Sequence, residues 1–109
     1  MAENIQNILI FDLSIFSVIL LFYFYKPKEI NYMIGYRTKL SMKNEKNWEF
    51  AQSFFTKKWI ITIPIILITQ IPVIFGVYPK SILIISGVQF TILSVYAIII
   101  TEKELKKLN

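Results

Sequence analysis

Three stretches of this chain are nearly free of charge, and each is long enough to cross a lipid bilayer. Ile5 to Tyr25 carries one formal charge, Asp12, while Trp59 to Tyr78 and Ser81 to Thr101 carry none. A helix gains about 1.5 Å per residue and the hydrocarbon core is about 30 Å thick, so about twenty apolar residues make one crossing. The runs predict transmembrane helices at about 5–25, 59–78 and 81–101, joined by a polar loop at 26–58. Composition agrees. With 55% of its 109 residues hydrophobic and 17% charged, a soluble domain would lack the polar surface to cover itself. The expected fold class is all-α: an integral membrane three-helix bundle, a single module over 1–109, with a cytoplasmic loop carrying an amphipathic helix.

The first helix reads as retained rather than cleaved. Met1 to Asn7 contains Glu3 and no Lys or Arg, and the run ends in the bulky Phe22-Tyr23-Phe24-Tyr25, unlike a small-residue cleavage site. The chain has no cysteine and no histidine, which excludes disulfides, thiol chemistry and the usual zinc ligand sets. No cofactor and no metal are expected.

The net charge of +5 is best read by location. Of twelve Lys and Arg residues, eight lie between Lys26 and Lys58, one is Lys80, and three are Lys103, Lys106 and Lys107. The positive-inside rule puts the long loop and the C-terminus in the cytoplasm, and the N-terminus and the Tyr78-Pro79-Lys80 turn outside. Attraction to anionic headgroups accounts for the basic loop more simply than nucleic acid does, so the lipid bilayer is the expected partner and no direct nucleic-acid contact is expected.

Lys26-Pro27 stops helix one, because proline disfavours helix at the residue before it. Gly35 suits a sharp turn with positive φ. Ser41 or Asn44 can cap the helix that follows, with Glu45 favourably placed in its first turn. Trp48, Ala51, Phe54 and Phe55 share one face of it, with Glu49, Gln52 and Ser53 mostly elsewhere. This amphipathic helix is expected to run on into helix two, entering the bilayer at Lys57, Lys58 and Trp59. Pro64 and Pro72 predict a kinked helix two. Helix three is expected to give way at Thr101 to a charged tail, Glu102 to Lys107, solvated or touching headgroups.

Taken together, Lys26-Pro27-Lys28, Asn31, Gly35-Tyr36-Arg37-Thr38, Ser41-Met42-Lys43-Asn44, Trp48 and Ala51 resemble the SdpI-type immunity protein family. That family comprises bacterial polytopic membrane proteins with a G-Y-R-T…S-x-x-N…W…A signature after the first helix of a three-helix module. Layout matches over the whole chain. One departure is Lys39, where many members have proline. The resemblance implies a bacterial cell-membrane protein that protects its producer against a secreted, membrane-active toxic peptide. In a longer member, with an additional membrane portion before this module, it also implies signalling through a repressor held at the membrane. A toxic peptide and a cytoplasmic regulator are therefore the partners it suggests.

On these residues the candidate binding set is Asn31, Gly35, Tyr36, Arg37, Thr38, Ser41, Asn44 and Trp48. A guanidinium among hydroxyls and free helix-start amides suits a phosphate or carboxylate. The alternative is a structural knot in which Arg37 pairs with Glu45 or Glu49. Trp48 reads either as a ligand-facing aromatic or as an interfacial anchor. Inside the helices, Asp12, Gln70 and Gln89 fall in one layer, roughly 10–12 Å from the outer helix ends. They read as an interhelical hydrogen-bond cluster, as a functional site, or, for Asp12, as a side chain that snorkels out. No catalysis is expected. Two rivals stand beside the immunity reading: a small transporter, which the acidic residue in helix one suggests, and a protein binding or acting on lipid headgroups through Arg37, Ser41, Asn44, Glu45 and Glu49.

Overall fold

The computed structural model describes residues 2–76 and 81–109, with side chains from Ile5 onward. The predicted turn at Tyr78-Pro79-Lys80 lies outside them. Its helices are α1 (Ala2–Phe24), α2 (Glu45–Trp59), α3 (Thr62–Thr69), α4 (Ile71–Ile74) and α5 (Ile82–Leu108), with no strand among the described residues. Three segments are long and apolar enough to cross a membrane: Ile5–Phe24, Glu45–Thr69 and Ile82–Leu108. The protein is an all-α, multi-pass membrane bundle. Its long axis of 50 Å exceeds the ~30 Å of hydrocarbon, so part of the bundle lies outside it.

The middle span is the central one. Of its most apolar window 39% is buried inside the protein, against 11% for the first span and 17% for the third. Leu9, Ile10 and Leu13 of α1 and Ile84, Ile92 and Ile99 of α5 are left facing outward, as lipid requires. The core gathers Ile19, Tyr36, Ala51, Phe55, Trp59, Ala97 and Leu105.

Two boundaries differ from the sequence reading. The amphipathic helix does run on toward the bilayer, and the described segment long and apolar enough to cross is Glu45–Thr69, where the sequence alone suggests a span at about 59–78. Proline explains where it bends. Pro64 has no N–H for the carbonyl four residues earlier and crowds it, and the bend falls there, at Ile60–Ile61. Both residues keep right-handed dihedrals, φ −63° and ψ −23°, so the chain kinks without unwinding. Pro72 acts likewise: α3 ends at Thr69 with Gln70 as its C-cap, and α4 begins with the proline in its first turn.

The second difference is at the C-terminal end. Glu102 to Lys107 is not a free tail, because α5 continues unbroken to Leu108. Ala97, Thr101 and Leu105 recur every four residues and are all buried, which keeps this polar stretch packed beside α2.

Candidate functional site

The loop between α1 and α2 is built almost wholly from side chains bonded to backbone. Asn31 starts it: its Oδ1 accepts from the amides of Met33 (2.9 Å) and Ile34 (2.8 Å), and its Nδ2 donates to the Glu29 carbonyl (3.1 Å). This is the local turn that Asn favours. Gly35 follows at φ +110°, a region closed to other residues. The left-handed backbone and the missing Cβ let Gln52 approach. Its Oε1 accepts from the Tyr36 amide and its Nε2 donates to the Tyr36 carbonyl, both at 2.8 Å.

Tyr36 is buried, against its place in the candidate binding set. Its hydroxyl donates to Glu102 Oε1 at 2.8 Å, and its ring lies 4.7 Å from that of Phe55. Burial first, and the Glu102 carboxylate second, push its phenol well above the usual value. From Phe55 the rings continue to Trp59 at 5.1 Å, and Trp59 meets Phe22 at 5.4 Å and Phe90 at 6.2 Å. An aromatic column thus ties the loop into the bundle.

Thr38 and Ser41 satisfy one another. The Thr38 amide donates to Ser41 Oγ at 2.8 Å, and the Ser41 amide donates to Thr38 Oγ1 at 3.2 Å. Asn44 caps α2, accepting from the Asn47 amide at 2.8 Å; Ser41 is instead fully buried in the turn. Asn47 is buried as well, donating to the Leu40 carbonyl at 2.9 Å and exchanging amide hydrogen bonds with Asn109 at 3.2 and 3.3 Å.

Trp48 corrects both of its sequence readings. It is neither ligand-facing nor a membrane anchor: its side chain is 0% exposed, and its indole N–H donates to the Pro27 carbonyl at 2.7 Å. Trp48 therefore holds the end of α1 to the start of α2. The predicted Arg37 ion pair is corrected too. Arg37 is exposed and its guanidinium donates to the Tyr32 carbonyl; among the described residues no carboxylate pairs with it. Gln52 is the residue that sequence reasoning missed. It falls four residues after Trp48, on the buried face, but polarity put it elsewhere.

The second assembly lies inside the bundle. Gln70 Nε2 donates to Asp12 Oδ1 at 3.0 Å and to Ser86 Oγ at 2.9 Å, joining α1, the end of α3, and α5. Gln89 does not join that pair; its Oε1 accepts from Thr69 Oγ1 at 3.0 Å. The layer thus holds two bonded sets side by side, one across α1, the end of α3 and α5, the other between α3 and α5. Ser86 and Thr69 were absent from the sequence reading, though Ser86 sits one turn before Gln89 and Thr69 adjoins Gln70.

The electrostatics divide the molecule. Lys26 Nζ sits 4.9 Å over the Tyr23 ring and Lys58 Nζ 5.3 Å over Phe54, both at the loop end of the spans. The loop and the last turns of α5 add most of the remaining cations.

The model of the SdpI/YfhL protein family matches residues 28–101. That interval contains most of the loop, α2 to α4 and most of α5. No curated protein and no solved structure matches the chain.

Proposed function

The chain belongs to the SdpI/YfhL protein family, and from that premise we propose that it protects the cell carrying it against a secreted, membrane-active toxic peptide. It does so by binding the peptide or masking its target, and it signals this state to a cytoplasmic regulator. Family membership supports an immunity-type membrane protein, and the fold supports a body set in the bilayer where such a peptide would act. The proposal is one of binding without catalysis. What carries it is the use made of the signature: Gly35, Tyr36, Thr38, Ser41, Asn44 and Trp48 are engaged in backbone hydrogen bonds or buried contacts, as a rigid platform needs. Arg37 stands outside that network as an exposed guanidinium, available to a headgroup phosphate or a partner's carboxylate.

The orientation we propose has the basic loop and α5 end in the cytoplasm and the start of α1 outside, supported by the gathering of cations at one end. The test is survival. A sensitive bacterial host expressing the chain is challenged with a purified secreted, membrane-permeabilising peptide, and survival is expected to rise with expression. Unchanged killing across such a panel, with the protein folded in the membrane, sinks the proposal. Proton-coupled dye efflux from the same cells would favour a transporter instead.

A further inference from the structure

The Asp12–Gln70 pair forms the floor of a cleft of about 380 Å³ between α1 and the α3–α4 segment, apart from the signature loop. Its walls are aliphatic, with Ile8 and Leu9 on one side and Leu67 and Ile74 on the other. Leu9, Leu67 and Ile74 are exposed, so the cleft opens sideways, toward lipid. Asp12 and Gln70 are the polar groups that line it.

The hydrogen bonds decide what those two groups can accept. Gln70 commits both amide hydrogens, to Asp12 Oδ1 and to Ser86 Oγ. An amide has two donors, so Gln70 has none left, and a carboxylate offers only acceptors. Among the described residues no donor reaches the second Asp12 oxygen or Gln70 Oε1, and no buried side-chain polar atom lacks a partner. Those two oxygens are therefore open to the cleft. Nor does any described cation pair with Asp12. Among the described residues the cleft thus combines apolar walls, two free acceptors and, with Asp12 ionised, one formal negative charge.

We infer that this cleft binds the primary ammonium of a single-chain amphiphile lying in the bilayer. An ammonium brings three donors and a compensating charge, and its alkyl chain matches the aliphatic walls. A neutral alcohol satisfies the acceptors but leaves the charge. A quaternary ammonium supplies the charge with no donor. A carboxylate that no described cation pairs is costly in hydrocarbon, which makes its neutralisation the source of selectivity. This inference is independent of toxin protection: a failed survival assay leaves it standing, and its own failure leaves that reading intact.

The test uses the whole chain in phosphatidylcholine nanodiscs, with dodecylamine as the probe and the Ile8 and Ile74 methyl resonances as the readout. Saturable shifts are expected with dodecylamine. Dodecanol and dodecyltrimethylammonium should need at least tenfold higher mole fractions. Asp12→Asn keeps an acceptor for Gln70 but removes the charge, and should raise the dodecylamine midpoint at least tenfold with the other methyl resonances unmoved. An unchanged midpoint in a folded Asp12→Asn protein, or dodecanol matching dodecylamine, overturns the assignment. So does binding that appears only after Lys80→Gln, which would give the carboxylate to the chain's own ammonium. If Asp12→Asn fails to fold, the dodecylamine and dodecanol comparison on the native chain still decides.

Discussion

Gly35→Ala is expected to destabilise the protein by about 2–6 kcal/mol, an unusually large effect for one added methyl group. Two terms make it up. Alanine at φ +110° is strained whatever the space around it, by about 1–3 kcal/mol. Its Cβ would also lie 2.6 Å from Gln52 Oε1 and 3.4 Å from Trp48 Cη2. A glutamine side chain normally yields to such a contact at little cost. Here Gln52 is 3% exposed and holds the Tyr36 backbone through two bonds of 2.8 Å, so it yields only by giving those up. Each bond is worth about 0.5–1.5 kcal/mol net. The assay is a double-mutant cycle in detergent micelles, following helicity against added denaturing detergent for Gly35→Ala, Gln52→Ala and the pair. Gln52→Ala alone should cost about 2–4 kcal/mol, because it strands the Tyr36 N–H and C=O. In the double variant the collision is gone while the φ strain remains, so its cost should fall short of the sum by about 1–2 kcal/mol. Strict additivity, or a Gly35→Ala protein within about 0.5 kcal/mol of the native chain, would refute the reasoning.

Other predictions follow from the same geometry. Tyr36 has its phenol raised above 10.0 in the folded protein, so its contribution to stability is complete below the unfolded value and is lost as pH rises through the folded one. Alkaline titration of the native chain should therefore show a stability loss beginning near pH 10.0 that Tyr36→Phe lacks. Arg37→Ala should keep its melting temperature in detergent, because the exposed side chain bonds one carbonyl; loss of protection with the fold intact would mark Arg37 as a contact for an anion. Trp48→Phe should cost about 1–3 kcal/mol by stranding the Pro27 carbonyl, and native stability in that variant would remove the clamp between α1 and α2. For orientation, a single cysteine replacing Pro79 should react with an impermeant reagent in intact cells and one replacing Asn44 should not; the reverse pattern inverts the topology.

What could be read from the chain, and what could not, divides along a physical line. The three apolar crossings, the turn at Gly35 and the Asn44 cap are local consequences of hydropathy, backbone freedom and side-chain geometry, and each was legible. Asp12 and Gln70 also share one level by sequence alone, because helical rise converts sequence distance into depth. Gln52 was not legible. Its partner is the backbone of Tyr36, sixteen residues away, and amphipathic periodicity assigns polar residues to the outer face. Trp48 was misplaced for a related reason: tryptophan near a membrane boundary is usually an anchor, and nothing local reveals that the Pro27 carbonyl needs a donor. The helical end of α5 was hidden by its charges, although Ala97, Thr101 and Leu105 already trace a stripe through them.

The polar contacts across the bundle share a purpose that the apolar ones cannot serve. In lipid, apolar side chains lose little when helices slide past one another, since hydrocarbon replaces hydrocarbon. Register must then come from directional bonds, and α5 carries them at successive levels. Ser86 and Gln89 meet Gln70 and Thr69; Ser94 accepts from the Trp59 indole at 2.8 Å; Glu102 accepts from Tyr36; Asn109 exchanges bonds with Asn47. Those within the membrane are each modest alone, averaging about 0.6 kcal/mol. Together they fix α5 against α2 and α3 along its length, on both sides of the bend at Ile60–Ile61. The bend matters because it separates two tasks. Above it, α2 is committed to the loop platform; below it, α3 is free to carry Gln70 across to Asp12 on α1. A straight helix would have to serve both with one face, so the proline at 64 lets a single span build two polar sites.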